Sequence, residues 1–324
     1  MTRKSDADGI AAFMRGLPTA LSLRGYQTSW PLHLFRVDDV RSAASILETG
    51  ALYPRTRAEQ LGLLTHDSAS PGVIGHTPEW CKECVRLYFR PRTPTEYRSE
   101  GFRPTAQIEM NAHRPMPIVF VFEAIPILTD SGTSFTEGNA STSGCKRGSE
   151  LKFLSRIPFK KVYHDIWIGS EERDVIFHRC AEVLVQRELS FDHLKHLFCR
   201  TQAEYETLYS LLSPPTRNRF RGRLGISATL HFRKWTFVES VELSHERVQF
   251  RFSPSTITPG PFQAELLIKS LSDQLLGTWS SDSFIANDAL IVNLHAPLTE
   301  YIVELSLDNE LAYRNTFTSE EVLL

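Results

Sequence analysis

The sequence predicts an α+β protein, in which a mixed domain is followed by an all-β domain. Residues 38–50 read as an amphipathic helix, residues 118–122 and 181–185 are short apolar runs, and seven short alternating runs follow Leu224. The chain has 324 residues, which exceeds the usual size of one domain. We therefore predict two domains, covering residues 1–223 and 224–324.

The mixed domain is predicted from one helix and two buried strands. Within residues 38–50, Asp38 can cap the helix, apolar residues recur on one face, and Gly50 can end it. The runs at 118–122 and 181–185 have the length and apolar character of buried strands. Residues 131–150 are polar and rich in glycine and serine, which predicts a loop that faces a substrate.

The last third of the sequence has the pattern of an immunoglobulin-like β-sandwich. Turn residues separate its short alternating runs, and a segment containing proline and arginine at 213–225 precedes them. The predicted strands are 229–237, 248–252, 264–270, 283–286, 290–294, 301–307 and 313–317.

Composition excludes several classes of protein. The hydrophobic fraction is 41% and the charged fraction 23%, as in ordinary globular proteins. The sequence has no apolar stretch long enough to span a membrane and no signal peptide, so we expect a cytoplasmic protein without a membrane partner. Five cysteines are an odd number, which argues against a secreted disulfide framework. The oligomeric state is left open.

Charge is distributed unevenly around a net value of −2. Residues 1–225 contain 30 Lys and Arg against 25 Asp and Glu, whereas the remainder contains 6 against 13. A mildly basic first part suits an anionic substrate, and an acidic tail avoids nucleic acid.

Residues 85–97 are the most informative segment, because three arginines and three aromatic residues surround two prolines. Proline restricts its own backbone and that of the preceding residue, which makes Arg92 part of a stiff connector. Guanidinium groups bind phosphate, and aromatic faces stack on flat rings. The alternative is an edge strand that ends in a loop, with solvated arginines and core aromatics.

Glu182 is a carboxylate within an otherwise apolar strand. Burial of an ionised group is costly unless the group is paired or has a function. The alternative is that Glu182 faces solvent from an edge strand.

Three motifs, spread over roughly residues 30–215, resemble the DarT family of nucleic-acid ADP-ribosyltransferase toxins. Residues 32–40 and the helix that ends at Gly50 resemble the family's histidine strand and first helix. Residues 87–94 resemble its aromatic pair followed by Pro-Arg-Ser-Pro, and residues 179–185 its Arg-Gln-Ala-Glu-Phe-Leu-Val strand. The resemblance does not extend to the β-rich third of the chain.

The resemblance implies that the protein transfers ADP-ribose from NAD+ to a nucleobase. Glu182 is then the catalytic carboxylate, and Arg92 holds a phosphate of NAD+ and contributes to catalysis. This sequence differs from the family at three motif positions, where Phe35 replaces Thr, Asp39 replaces Asn and Cys180 replaces Gln. The implied cofactor-binding residues are His33, Phe35, Asp39, Tyr88, Phe89 and Arg92.

The resemblance also implies the partners. The acceptor is a base of single-stranded nucleic acid, with thymidine of DNA favoured and an RNA base left open. An antitoxin protein is expected as a partner in a toxin–antitoxin or phage-defence system. Candidate contacts to nucleic-acid phosphates are Arg86, Arg90, Arg98, Arg103, Lys146 and Arg147.

A competing hypothesis is a non-catalytic module that binds nucleic acid or protein. His76, Cys81 and Cys84 include a C-x-x-C pair with an upstream histidine, which suggests a structural zinc site. Such a site needs four ligands, and the sequence has no second pair at suitable spacing. We therefore expect no metal.

Overall fold

The chain forms two compact units whose segments alternate along the sequence. The computed structural model describes residues 2–63, 71–169, 172–254, 256–287 and 289–319. The first unit comprises Met1–Val37, Ser45–Arg98 and Val119–Leu197, and the second comprises Asp38–Ala44, Ser99–Ile118 and Phe198–Leu324. The predicted domain boundary at residues 223 and 224 stays a prediction.

One sheet forms the framework of the first unit. Its strands include β1 (His33–Asp39), β3 (Val85–Tyr88), β4 (Pro117–Glu123), β5 (Thr133–Thr136), β6 (Arg147–Gly148), β7 (Glu182–Val185) and β9 (Leu194–Cys199). These seven follow the order β9-β4-β1-β3-β7-β5-β6. The short strands β2 (Ala51–Leu52) and β8 (Leu189–Ser190) pair with each other. The predicted strands at 118–122 and 181–185 are thus confirmed as β4 and β7, and the predicted loop at 131–150 contains β5 and β6.

Helices before and between the strands are mostly short. The helix predicted at 38–50 is confirmed over Val40–Thr49, but Asp38, the expected cap, lies in β1. Gly50 follows the last helical residue, and its φ of 81° favours glycine. The helices are α1 (Ala7–Ala20), α2 (Val40–Thr49), α3 (Arg55–Gln60), α4 (Pro71–His76), α5 (Glu79–Lys82), α6 (Pro94–Ser99), α7 (Ala124–Leu128), α8 (Leu151–Leu154), α9 (Phe159–Val162) and α10 (Arg173–His178), and a 3-10 helix covers Gly25–Leu32. In the part of the chain that the structure describes, no helix is long and apolar enough to cross a membrane.

Two antiparallel sheets dominate the second unit. The three-stranded sheet has the order β11-β12-β15, and the four-stranded sheet has the order β14-β13-β16-β17. Phe250 and Leu290 of the first sheet share one apolar core with Leu266 and Val303 of the other. The immunoglobulin-like class stays a prediction. The elements are α11 (Gln202–Leu211), α12 (Pro214–Phe220), β10 (Leu224–Ile226), β11 (Val238–Leu243), β12 (Arg247–Phe252), β13 (Phe262–Lys269), β14 (Leu275–Phe284), β15 (Ala289–Asn293), β16 (Glu300–Leu307) and β17 (Glu310–Thr318).

Two of the predicted strands in this unit are wrong in position. The strand predicted at 229–237 is a 3-10 turn and a loop, because the amides of Phe232 and Arg233 donate to the Glu100 carboxylate at 2.9 and 2.8 Å instead of to a neighbouring strand. The strand predicted at 283–286 covers only the end of β14, whose largely exposed, polar sequence lacks the apolar alternation of a half-buried strand.

A buried cluster of charges lies beneath β11. Arg200 is 1% exposed, and its guanidinium lies 3.3 Å from Oε1 of Glu100 and donates to Glu204 and to the Pro115 carbonyl. Two buried carboxylates therefore share one guanidinium. Burial raises the pKa of Glu204 to about 7, although Arg200 opposes the shift.

The Glu204→Gln variant tests this cluster. A carboxyl group whose pKa is higher in the folded state stabilises the native state at pH values below its unfolded-state pKa. This stabilisation is lost as the pH rises through about 7, the folded-state pKa of Glu204. We expect the stability of the native chain, relative to this variant, to fall by up to about 3 kcal/mol between about pH 5 and about pH 8. Urea unfolding across this pH range measures the difference.

Glu242→Gln is the matched control, since its carboxylate is 62% exposed. This control and the native chain should have parallel pH profiles. If the dependence of stability on pH in Glu204→Gln is also parallel to that of the native chain, Glu204 is not the group that binds an additional proton in the folded state.

Candidate active site

Strand register places five of the predicted site residues on one face of the first unit's sheet. Phe35 of β1 pairs with Tyr88 of β3, and Tyr88 pairs with Glu182 of β7. Because side chains alternate along a strand, His33 shares the face of Phe35, and Arg86 shares the face of Tyr88. The site therefore begins as a row across three adjacent strands.

Glu182 is fully buried and hydrogen-bonded through both carboxylate oxygens. Arg86 donates from Nε to Oε2 at 2.6 Å and from Nη2 to Oε1 at 2.7 Å. The amide of Ala140 donates to Oε1 at 3.0 Å. Glu182 is 0% exposed, whereas the Arg86 side chain is 27% exposed, so solvent meets the guanidinium rather than the carboxylate. The bidentate ion pair fixes the carboxylate plane.

The segment after β5 is shaped to deliver the Ala140 amide. The hydroxyl of Thr136 accepts from the amide of Glu182 at 3.1 Å and donates to the Gly138 carbonyl at 2.7 Å. A Cβ added to Gly138 would lie 2.3 Å from the Phe177 ring, so this position excludes larger residues. This close approach packs the turn against α10, the helix that precedes the strand of Glu182.

Arg90 is a buried framework residue. Its side chain is 1% exposed, donates to the carbonyl of Val162 at 3.2 Å, and forms an ion pair with Asp165 at 2.5 Å. It also donates to the carbonyl of His164. Burial lowers the pKa of Arg90 to about 10, although the Asp165 carboxylate opposes the shift. Its donors bind protein groups, so Arg90 offers no surface to nucleic-acid phosphates.

Arg92 lies nearer the surface and has a φ of 53°. Its Nη2 donates to the Tyr26 hydroxyl at 3.0 Å and to the Asp165 carboxylate. Its guanidinium carbon lies 5.5 Å from the centre of the Tyr26 ring. The side chain is 19% exposed, and its buried Nε has no hydrogen-bond partner among the described residues. Arg92 is therefore positioned by two groups and retains a free donor.

The remaining cofactor candidates divide between the site and the core. His33 donates from Nδ1 to the Ser29 carbonyl at 2.9 Å, and burial lowers the pKa of its imidazole. Tyr88 lies opposite Glu182, and burial raises the pKa of its phenol. Phe89 is fully buried against Phe135 and Phe159, so it belongs to the core rather than to the sheet face. Phe35 is also buried, at 3% exposure.

Two candidates belong to the second unit. Asp39 is buried and accepts from the Arg41 amide at 3.1 Å. Arg103 is 3% exposed, and its guanidinium lies 3.8 Å from the Trp235 ring centre.

The other candidate phosphate contacts differ in exposure. Arg86 is engaged with Glu182, as described. Arg98, Lys146 and Arg147 are exposed, and the guanidinium of Arg147 lies 4.7 Å from the Trp80 ring centre. These three residues are therefore accessible to a ligand in solution.

Both thiols of the C-x-x-C segment are buried. Burial raises the pKa of Cys81 to about 11 and also raises that of Cys84, whose thiol donates to the Trp80 carbonyl at 3.3 Å. His76 donates from Nδ1 to the Gly72 carbonyl at 2.7 Å. Within the described residues, no three His, Cys, Asp or Glu side chains are arranged to hold a metal ion.

Three groups of the site were missed by sequence reasoning: Asp165, Tyr26 and the amide of Ala140. Asp165 binds both Arg90 and Arg92, although it lies 75 and 73 residues from them. None of the three belongs to a motif or a periodic pattern. A buried arginine requires an acceptor, but sequence spacing alone does not identify a partner so distant.

The fold is similar to that of solved DarT proteins. Thermus sp. 2.9 DarT in complex with ADP-ribosylated ssDNA matches 62% of this chain and 97% of its own, with 14% identity and a TM-score of 0.51. The same protein with NAD+ matches at 14% identity, a TM-score of 0.48 and coverage of 62% and 98%. Thermosipho africanus DarTG in complex with ADP-ribose matches at 16% identity, a TM-score of 0.49 and coverage of 62% and 51%.

The family model described as "ssDNA thymidine ADP-ribosyltransferase, DarT" matches residues 35–233. The chain therefore belongs to the DarT family, and it is an NAD+-dependent ADP-ribosyltransferase with thymidine of single-stranded DNA as its acceptor. No curated protein matches the sequence significantly. Membership confirms the resemblance in the three motifs and favours an enzyme over a non-catalytic binding module.

Arg90→Leu and Arg92→Leu should have different effects, although both remove a cation from Asp165. Loss of one partner from a buried ion pair costs about 3–5 kcal/mol, whereas a pair near the surface contributes about 1 kcal/mol or less. We expect Arg90→Leu to lower the free energy of unfolding by the larger amount. Urea unfolding of both variants measures it, and equal losses would contradict the framework role of Arg90.

Proposed function

We propose that transfer of ADP-ribose takes place at Glu182, with this residue as the catalytic carboxylate. The observation that carries the proposal is the buried, doubly hydrogen-bonded carboxylate at the glutamate position of the family motif. A carboxylate fixed in this way stabilises positive charge that develops on the ribose as nicotinamide leaves.

The reaction breaks the bond between nicotinamide and the ribose and forms a bond from the same ribose carbon to the base. Nicotinamide departs as a neutral molecule and takes the electron pair of the broken bond. Thymine within DNA has a single N–H group, so attack through that nitrogen releases one proton. The Glu182 carboxylate accepts this proton.

The lone pairs of Glu182 indicate which oxygen reacts. A carboxylate offers about four lone-pair directions, two on each oxygen. Oε1 accepts from Arg86 and from the Ala140 amide, whereas Oε2 accepts only from Arg86 among the described residues. Oε2 therefore keeps one acceptor direction for the ribose or the base.

Arg92 and His33 are proposed as cofactor ligands. The free Nε of Arg92 gives the pyrophosphate of NAD+ a charge-assisted donor, while Asp165 and Tyr26 hold the guanidinium in place. His33 is held through Nδ1, which leaves Nε2 for a hydrogen bond to the cofactor. Phe35 and Tyr88 lie on the same sheet face and are proposed to border the nicotinamide site; Asp39 and Phe89 have weaker support.

The DNA backbone is proposed to contact Arg98, Lys146 and Arg147, which are exposed. Arg147 stacks on Trp80, and such a pair suits an unpaired base and its phosphate. The family description names single-stranded DNA, which favours DNA over RNA as the acceptor. In domain terms, we propose that residues 1–223 form the transferase and that residues 224–324 form an immunoglobulin-like accessory domain.

The cellular setting is proposed from the chemistry. An enzyme that modifies thymidine in single-stranded DNA also threatens the DNA of its own cell. We therefore propose a cytoplasmic toxin, a cognate antitoxin protein and a role in phage defence. Growth arrest on expression of the native chain, with normal growth on expression of Glu182→Gln, is the expected result. Equal growth arrest with both would contradict the toxin role.

Glu182→Gln should abolish transfer and leave the fold intact. Gln keeps the size of the side chain and can accept from the Ala140 amide, but it carries no charge to stabilise the ribose cation. We expect the rate to fall by about a hundredfold to a thousandfold. The measurement is the rate at which label passes from labelled NAD+ to single-stranded DNA that contains or lacks thymidine, to duplex DNA and to RNA.

The matched control is Glu188→Gln, which changes an exposed carboxylate six residues along the chain. The control should modify thymidine-containing single strands at the native rate. Full activity of Glu182→Gln would contradict the catalytic assignment, and label found only on the protein would contradict transfer to DNA.

Arg86→Lys should lower kcat while KM for NAD+ stays near the native value. Lysine keeps the positive charge but loses the planar fork that orients Glu182, so we expect kcat to fall by about tenfold to a hundredfold. A merely structural role would lower stability without changing kcat of the folded protein. Native kcat in this variant would contradict a positioning role.

Arg86→Met separates orientation from folding. It leaves a buried carboxylate unpaired, which costs about 3–5 kcal/mol. The double variant Arg86→Met with Glu182→Gln removes both charges and should recover most of this stability. Urea unfolding of the two variants measures the recovery.

A further inference from the structure

A surface pocket of about 310 Å³ shares two residues with the Arg92 site. Tyr26 and Asp165 line the pocket, and both also bind Nη2 of Arg92. Leu23, Lys160 and Ile166 also line the pocket, and they give it two apolar side chains and a cation. Any molecule in this pocket therefore contacts the residues that position Arg92.

One wall of the pocket comes from outside the matched family domain. Residues 21–27 contribute this wall, whereas the family model begins at residue 35. Residues 160–166 contribute the opposite wall from within the matched domain. The pocket thus requires the N-terminal segment of this chain in addition to the family domain.

The rim of the pocket is aromatic, apolar and exposed. Of the lining residues, Tyr26 is 48% exposed and Ile166 is 74% exposed; Trp167, which follows Ile166 in the chain, is 85% exposed. The Trp167 ring lies against the backbone of Gly169, 3.6 Å from where a Cβ would stand on that residue. Exposed aromatic rings next to a concave surface are typical of sites that stack unpaired bases.

The charge around the pocket is positive. Arg90 and Arg92 share the single charge of Asp165, and Arg179 donates to His164 and to the Ile166 carbonyl. Lys160 lines the pocket with an exposed ammonium group. Among the described residues, the nearby acids are Asp165, Glu172 and Asp174, and Asp174 is paired with Lys161. Cations therefore exceed acids, as an anionic ligand requires.

We propose that this pocket binds a nucleotide of the DNA strand that adjoins the acceptor thymidine. Its base stacks on Tyr26 and Trp167, and its phosphate lies near Lys160. The proposal rests on the proposed function, since it concerns the same DNA substrate. An open aromatic rim fits a single strand better than NAD+, because cofactor sites enclose most of the ligand surface.

Trp167→Ala and Lys160→Gln test the pocket without touching Glu182 or Arg92. KM is measured for a long single-stranded oligonucleotide, for a dinucleotide with thymidine but too few neighbours to fill the pocket, and for NAD+. We expect KM for the long strand to rise by about tenfold in Trp167→Ala, with a smaller rise in Lys160→Gln. KM for the dinucleotide and KM for NAD+ should keep the native values.

The matched controls are Tyr97→Ala and Lys152→Gln, which change an exposed aromatic ring and an exposed cation elsewhere in the first unit. Both should keep the native KM for every substrate. A rise in KM for NAD+ alone would assign the pocket to the cofactor and overturn the proposal. Unchanged KM values for all substrates in both pocket variants would also overturn it.

Failure of the proposed function gives a different result. In that case neither the native chain nor Glu182→Gln transfers label to DNA. Fluorescence anisotropy of a labelled single strand then tests the pocket separately. Equal DNA affinity of the native chain and Trp167→Ala would overturn the pocket proposal in that case.

Discussion

The active-site face depends on one constraint: a carboxylate without solvent contact must be paired. Glu182 meets this requirement through a bidentate contact to Arg86 and an amide from Ala140. The first partner requires the register between β3 and β7, and the second requires the tight turn at Gly138. The contacts that offset the free-energy cost of burying the carboxylate also fix its orientation, as electrostatic catalysis requires.

The loop after β3 shows how adjacent arginines acquire different roles. Arg90 and Arg92 are separated by one proline, and both reach Asp165. Arg90 fills the interior and binds backbone carbonyls, whereas Arg92 turns toward the surface through a left-handed backbone conformation. One carboxylate thus anchors a framework arginine and orients the arginine that we propose as a cofactor ligand. A change at Asp165 would therefore affect stability and activity together.

Sequence patterns predicted the elements whose signals are local. The helix before Gly50 and the strand with Glu182 follow from local apolar spacing, and the family motifs indicated Glu182 and Arg92 as candidate site residues. The partners of those residues are non-local, because Asp165 and Ala140 are defined only by the folded chain. The prediction of a strand at 229–237 was wrong for the same reason, because amides in this segment donate to Glu100, more than a hundred residues away.

The N-terminal segment connects these observations. Tyr26 lies before the matched family domain, yet its hydroxyl accepts from Arg92 and its ring stands beside that guanidinium. A family motif that places an arginine on a stiff loop specifies its backbone but leaves several directions for a long side chain. Tyr26 and Asp165 restrict those directions from two sides. The direction of the Arg92 side chain is therefore set by residues outside the motif. We expect these residues to influence the acceptor preference of this chain.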